Sequence, residues 1–325
     1  MLTPLPGPPR RIGPYQLLAR VGAGGMGEVH LARRAGPGPG PVELVALKSV
    51  REDLDLDDAF RARFRREIAA ARAVAGPYTA AVLDADPDAE RPWLATEYVA
   101  GPSLAGTVAR CGPLPVPTVR ALGTGLARAL SAVHAARLLH RDLKPGNVLL
   151  TLEGPRLIDF GIARAFEATQ LTAAGAMIGT PGYLAPEQLR GTHALTPASD
   201  VFALGAVLAH AAGGHGPFED VEPAAVIYRT ATGDADLDHV PPLLRDVVAR
   251  CLATDPAHRP SPDEIVRALA AQDGPVWPAD VRALFAEHRS AADGFAHAAG
   301  QQAFAAAPTA PGAPPGATPR SGRPR

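Results

Sequence analysis

The sequence predicts an α+β protein built as two unequal lobes, a small sheet-rich one followed by a larger, mainly helical one. Four strand-like runs fall within the first hundred residues, and five helical stretches follow residue 100. The end of the chain, AAPTAPGAPPGATPRSGRPR, holds too little apolar surface to fold by itself and is expected to be disordered.

Each element has a local reason. Residues 1–13 read as an unstructured, proline-rich lead. From Tyr15 the runs YQLLARV, EVHLARR and ELVALKSV are strand-like; GAGGMG joins the first two and the flexible AGPGPGP separates the next pair. Asp57 to Val74 is helical, because Phe60, Phe64, Ile68, Ala71 and Val74 share one face. PWLATEYV, at 92–99, is another strand, and GPSL then turns the chain. Leu122, Leu126, Leu130 and Val133 stripe a helix over about 117–136. RLLH, NVLL and RLIDF are short strand-like pieces. Helices are expected near 198–212, 222–231, 241–252 and 262–272. The folded unit therefore spans 14–272, with the small lobe ending at 99. A tail covers 273–325, in which PADVRALFAEHR can form one short helix.

Composition narrows the function. Of 325 residues 46% are hydrophobic, and the formal net charge of −1 gives no field that would select nucleic acid or an anionic membrane. Cys111 and Cys251 can build neither a disulfide framework nor a cysteine-rich metal site, which suits a reducing cytosol. MLTPLPGPPRR lacks the apolar run of a signal peptide. The longest apolar stretch, Val201 to Ala212, is well short of the ~18–20 residues of a membrane span. A cytoplasmic chain without a membrane span is the expectation.

Gly22, Gly24 and Gly27 lie in VGAGGMGEV. Such a run serves a dinucleotide fingerprint, a hairpin covering phosphates or an ordinary turn. The first requires the glycines to open a helix, whereas EVHLA here is strand-like. In the second, the missing side chains let backbone amides approach phosphates. Lys48, in VALK, sits on a half-buried strand and taken alone is an ordinary strand-end lysine. Glu67 changes that reading, since its helical phase puts it amid Phe60, Phe64 and Ala71. An inward acid there is costly without a cation, and Lys48 is the candidate.

HRDLKPGNVLL, at 140–150, is more specific. Phosphoryl transfer needs an acceptor for a hydroxyl proton, oxygen ligands for a hard cation and a positive charge near the moving phosphate. Asp142, Asn147 and Lys144 supply these in turn. Asp159 ends the strand RLI just before Phe160 and Gly161, and suits Mg²⁺. Capping of loop turns is the plainer alternative for either segment alone.

The ordered set of glycine loop, VALK, inward glutamate, HRDLKPGN, DFG and APE resembles the eukaryotic-like (Hanks-type) protein kinases, and wording such as RPWLATEYV and SDVFALG is similar to their actinobacterial members. The resemblance covers about residues 14–272 and implies a protein kinase-like two-lobe fold that uses ATP and Mg²⁺, with Mn²⁺ able to substitute. It implies that Val21, Gly22, Gly24 and Gly27 belong to the lid over ATP, and that Val29, Ala46 and Leu149 enclose the adenine. Glu97 and Val99 offer backbone groups to its edge, with Thr96 as gatekeeper. Lys48 holds the α- and β-phosphates, oriented by Glu67. Asp142 is the base, Lys144 steadies the γ-phosphate, and Asn147 and Asp159 bind the metal. Glu187 of APE pairs with Arg259, and Asp200 braces the catalytic loop.

Lys144, with Thr180 in GTPGYLAPE, points to Ser/Thr rather than Tyr acceptors on protein substrates. Arg141 is suited to a phosphorylated residue of the activation segment, with Thr169 and Thr172 as the self-phosphorylated candidates. Relatives also activate through dimers of the small lobe, so a transient homodimer is an expected partner. A pseudokinase would lack one of Lys48, Glu67, Asp142, Asn147 or Asp159. A small-molecule kinase would lack GTPGYLAPE. A pure interaction module would leave the catalytic set unexplained.

Overall fold

Period-two alternation in the first hundred residues folds into one antiparallel sheet. Its strands are β1 (Thr3–Pro4), β2 (Arg11–Ile12), β3 (Tyr15–Gly24), β4 (Gly27–Arg34), β5 (Leu44–Val50), β6 (Val82–Asp86) and β7 (Trp93–Glu97). The order is β1-β3-β4-β5-β7-β6, with β2 also on β3. This computed structural model describes residues 2–24, 27–35, 43–50, 57–74, 76–159, 180–190, 195–270 and 277–305. One face of the sheet buries Tyr15, Leu17, Val45, Leu47, Trp93 and Ala95. The other brings Val50 and Leu94 against Phe60, Phe64 and Ile68 of helix α1 (Asp58–Arg72). Asp57 starts that helix by accepting the Phe60 amide at 2.6 Å.

The lead at 1–13 is not unstructured. Thr3 pairs with Arg20 and Arg11 with Gln16, so two short strands cover the free edge of β3. An edge strand leaves its amides and carbonyls unpaired, and even a proline-rich segment can satisfy some of them. Strand β6 was not expected either, because VLDAD is short and acidic. Its Asp84 accepts a hydrogen bond from the Tyr15 hydroxyl at 3.2 Å.

The large lobe comprises α2 (Leu104–Cys111), α3 (Val116–Ala135), the hairpin β8 (Val148–Thr151) and β9 (Gly154–Leu157), α4 (Pro186–Arg190), α5 (Pro197–Gly213), α6 (Pro223–Thr232), α7 (Pro242–Cys251), α8 (Pro262–Leu269) and α9 (Ala279–Ala305). Helix α5 is apolar on nearly every side because it is the buried axis of this lobe; α3 packs its leucine stripe into the same core. α2 escapes sequence reading because it is short and follows GPSL, although Ser103 caps it through the Gly106 amide. RLLH is not a strand: Arg137 and Arg141 have left-handed backbones, at φ 58° and 66°. A buried carboxylate, described below, replaces the partner strand there.

Glu187 and Arg259 form the expected buried pair, at 2.7 and 2.8 Å. The guanidinium lies 5.1 Å over the Phe202 ring, and the Ser199 hydroxyl donates to Glu187 at 2.8 Å. The tail also departs from expectation. Instead of one short helix, α9 runs 27 residues. Its Val281 and Phe285 join the large-lobe core, Glu287 pairs with Arg110 of α2, and the Ala299 carbonyl accepts from Arg33 of β4. The helix thus straps one lobe to the other. Residues 306–325 lie outside the described residues.

Candidate active site

The site forms where the sheet face opposite Trp93 meets the hairpin β8–β9. Cross-strand partners share a face, and the register pairs Gly22 with Val29, Val29 with Lys48 and Ala46 with Thr96. Strand pairing alone therefore brings Gly22, Val29, Ala46, Lys48 and Thr96 to one surface. A Cβ on Gly27 would lie 1.9 Å from the Ser49 carbonyl oxygen, so this glycine is required by packing against β5. Around Gly22 the space is open, and Val21 is exposed.

The connection after β7 is docked on the large lobe. A side chain on Gly101 would meet the Leu150 carbonyl at 2.0 Å, and Leu150 N–H donates to the Pro102 carbonyl at 2.9 Å. Ser103 bridges Leu149, which sets Leu149 beneath this segment. The Glu97 amide is committed to the Ala81 carbonyl. Its carboxylate is paired with Arg156 of β9, a lobe-to-lobe contact that sequence reading missed. Val99 is buried, its carbonyl accepting from Gly101 at 2.9 Å.

The HRDLKPGN loop is tied down atom by atom. Asp200 of α5, 2% exposed, accepts the His140 amide at 2.9 Å, the Arg141 amide at 2.8 Å and His134 Nε2 at 2.8 Å. Burial lowers the pKa of His140, whose Nε2 lies 3.0 Å from the Ile158 carbonyl. Within this frame Lys144 Nζ donates to both Asp142 carboxylate oxygens, at 3.0 and 2.8 Å. Asn147 Nδ2 donates to the Asp142 carbonyl at 2.7 Å and to Asp142 Oδ2 at 2.9 Å. With its amide nitrogen so occupied, Asn147 has its side-chain oxygen turned away from Asp142.

The Ile158 amide donates to the Asn147 carbonyl at 3.1 Å, so Asn147 and Asp159 are one residue apart across the base of the hairpin. Asp159 itself is left-handed, at φ 59°. Arg141 and Asp159 thus both hold backbone conformations that cost about 1–3 kcal/mol each, and they flank the same site. The Asp159 carboxylate lies 3.3 Å from Lys48 Nζ.

That contact adds a partner the sequence does not point to: among the described residues Lys48 forms an ion pair with Asp159. The left-handed turn carries the Asp159 carboxylate to the lysine, while Glu67 stays half-buried on α1. Thr180 is exposed and hydrogen-bonds neither Asp142 nor Lys144; its carbonyl accepts from Tyr183 in the 3-10 turn that follows. Phe160, Gly161, Thr169 and Thr172 lie outside the described residues, as does the 36–42 loop.

A cleft with a lysine on a strand, a carboxylate–lysine–amide cluster on a braced loop and a second acid at a strand end is the layout of a protein kinase. The protein kinase domain family matches residues 15–269, and the chain belongs to that family. It is 49% identical over 262 residues to the serine/threonine-protein kinase AfsK of Streptomyces coelicolor, covering 81% of this chain and 32% of that protein. To the probable serine/threonine-protein kinase PkwA of Thermomonospora curvata it is 46% identical over 280 residues, 86% of this chain and 37% of that one. The solved kinase domain of Mycobacterium tuberculosis PknI is similar with a TM-score of 0.60 and 31% identity, over 81% of this chain and 98% of that domain. The chain spans about a third of the length of these curated relatives. Among the described residues no helix is long and apolar enough to cross a membrane.

Proposed function

We propose that the chain transfers the γ-phosphoryl group of ATP to serine and threonine hydroxyls of protein substrates. The observation that carries this reading is the Asp142–Lys144–Asn147 cluster, held one residue from Asp159 and braced from below by Asp200. Asp142 accepts the proton as the acceptor oxygen attacks the γ-phosphorus and the bond to ADP breaks. Lys144 steadies the charge on the moving phosphoryl group. Lys48 holds the nucleotide's α- and β-phosphates, and Glu67 orients it.

Asn147 and Asp159 offer two hard oxygen donors on adjacent steps of one hairpin, and such a pair fits Mg²⁺. The cation supplies charge neutralisation for the phosphates and leaving group. Val29, Ala46 and Leu149 enclose the adenine; the lid is formed by Val21, Gly22, Gly24 and Gly27. Thr96, Glu97 and Val99 border the adenine edge.

Arg141 is exposed and makes no ion pair among the described residues, which supports its use in ordering a phosphorylated Thr169 or Thr172. The test is mass-resolved autophosphorylation with Mg·ATP. Wild type is expected to gain phosphate on Thr169 or Thr172, while Lys48→Met and Asp142→Asn gain none. A wild-type protein that binds ATP yet phosphorylates neither itself nor a generic Ser/Thr substrate would overturn the proposal.

A further inference from the structure

In the large lobe three side chains of metal-binding type converge from two segments. His215 follows Gly214, whose left-handed backbone (φ 91°) ends α5, while Asp236 and His239 lie in the loop between α6 and α7. One ligand atom from each can be chosen so that all three lie within 4.8 Å of one another. We propose that His215, Asp236 and His239 form a binding site for a zinc-type divalent transition metal.

The two segments are already joined. Asp236 N–H donates to the Pro217 carbonyl at 2.8 Å, and the imidazoles of His215 and His239 meet edge to face with centroids 4.8 Å apart. The orientation of His215 is also set, because its Nδ1 lies 3.1 Å from the Gly216 carbonyl. A ring whose Nδ1–H donates to a carbonyl presents a bare Nε2 lone pair, the usual arrangement behind a metal-bound histidine. Asp236 accepts the Asp238 amide on one carboxylate oxygen at 3.0 Å, which fixes the group and leaves its other oxygen outside that bond.

Two nitrogens and one oxygen suit Zn²⁺ or a similar cation and disfavour Mg²⁺ and Ca²⁺, which take oxygen ligands. Ligand atoms of a tetrahedral zinc site stand roughly 3.3 Å apart at bonds of ~2.0–2.1 Å, so closure needs only side-chain rotation of about 1.5 Å. His239 is exposed and the other two are half-buried, which leaves that freedom and a route in.

Occupancy would clamp the turn after α5 to the loop before α7. The clamp sits beside Tyr183 of GTPGYLAPE, whose hydroxyl borders Gly216. The metal would therefore stiffen the turn that borders Tyr183, and this inference stands independently of the kinase reading.

The experiment is isothermal titration of Zn²⁺ into the untagged full chain, without ATP or Mg²⁺, alongside visible absorption with Co²⁺. One equivalent is expected to bind and to give the ligand-field bands of a four-coordinate nitrogen–oxygen site. At a hundredfold excess over Kd the melting temperature should rise by roughly 5 °C. His215→Ala, His239→Ala and Asp236→Asn should each weaken binding at least tenfold, whereas His258→Ala, at an exposed histidine elsewhere, should not. Metal-free melting of each variant checks folding, and the exposed His239 supplies a variant with little packing to lose. Absence of a one-equivalent site, or affinity unchanged in His239→Ala and Asp236→Asn, would overturn the proposal.

Discussion

Asp142 and Lys48 stand on opposite walls of one cleft, yet their supports differ in kind. Asp142 sits in a loop whose flanking amides end on a carboxylate within the helical core. Its own carboxylate is engaged by two neighbours at 2.8–3.0 Å. Lys48 hangs from a strand by register and, among the described residues, forms an ion pair at 3.3 Å with an acid from the other lobe. The loop half of the site is assembled by contacts within nine residues plus one buried anchor. The strand half depends on how the lobes meet. A device that must admit and release a nucleotide is expected to keep its chemistry rigid and its grip adjustable.

Asp142→Asn separates the two supports most strongly. Phosphoryl transfer should fall by about 10²–10⁴-fold with nucleotide affinity and melting temperature little changed, as read by steady-state kinetics and a thermal melt. A large loss of stability instead would mean that the loop is less independently supported than its contacts suggest.

Next comes the buried pair under the loop's lobe. Arg259→Ala should destabilise by about 3–5 kcal/mol in urea unfolding, because it leaves Glu187 charged and buried. Burial pushes the Glu187 carboxyl up, but the hydrogen bonds from Arg259 and Ser199 outweigh it and hold its pKa below the usual 4.5. A carboxyl depressed in the folded state stabilises fully above its unfolded value and loses that contribution as pH falls through the folded one. The stability gap between wild type and Glu187→Gln should therefore be constant near neutrality and shrink below about pH 4.5.

Asp200→Asn is expected to cost about 1–3 kcal/mol, since a neutral amide cannot accept equally well from His140, Arg141 and His134. Activity should fall with it, whereas Lys48→Met should abolish transfer without moving the melt. That contrast isolates the rigid half from the adjustable half. Gly101→Ala tests the seam: its Cβ would collide with the Leu150 carbonyl, so KM for ATP should rise several-fold at a stability loss of about 1–3 kcal/mol. Smallest of all, Arg110→Ala breaks an exposed pair with Glu287 and should leave the melting temperature unchanged within error. A measurable drop there would show that α9 straps the lobes more firmly than its surface contact suggests.

Much of the candidate site is legible because its signals are local. Asp142, Lys144 and Asn147 fall within six residues, so chain geometry alone keeps them together, and spacing identifies them. Period-two and 3.6-residue patterns likewise reveal β3–β5, β7, α1 and α3, where one face is buried, whereas α5 shows as a long apolar run because it is buried nearly all round. Illegible elements were short or polar. VLDAD becomes a strand only because β7 offers an edge, and the proline-rich lead becomes two because β3 does. RLLH looked like a strand by composition, but Asp200, some sixty residues later, supplies the acceptor that a neighbouring strand would have provided.

By itself the sequence determined the two-lobe plan, the family and which residues are candidates for the site, since residue type, order and near-neighbour spacing are properties of the chain. Tertiary structure alone decided that Lys48 meets Asp159, that Glu97 is held by Arg156 and that α9 runs back to the small lobe. It also decided that His215, Asp236 and His239 converge. Each of these joins groups far apart in sequence, and ion pairs and ligand sets act over a few ångströms. Only the packed fold determines which distant groups come that close.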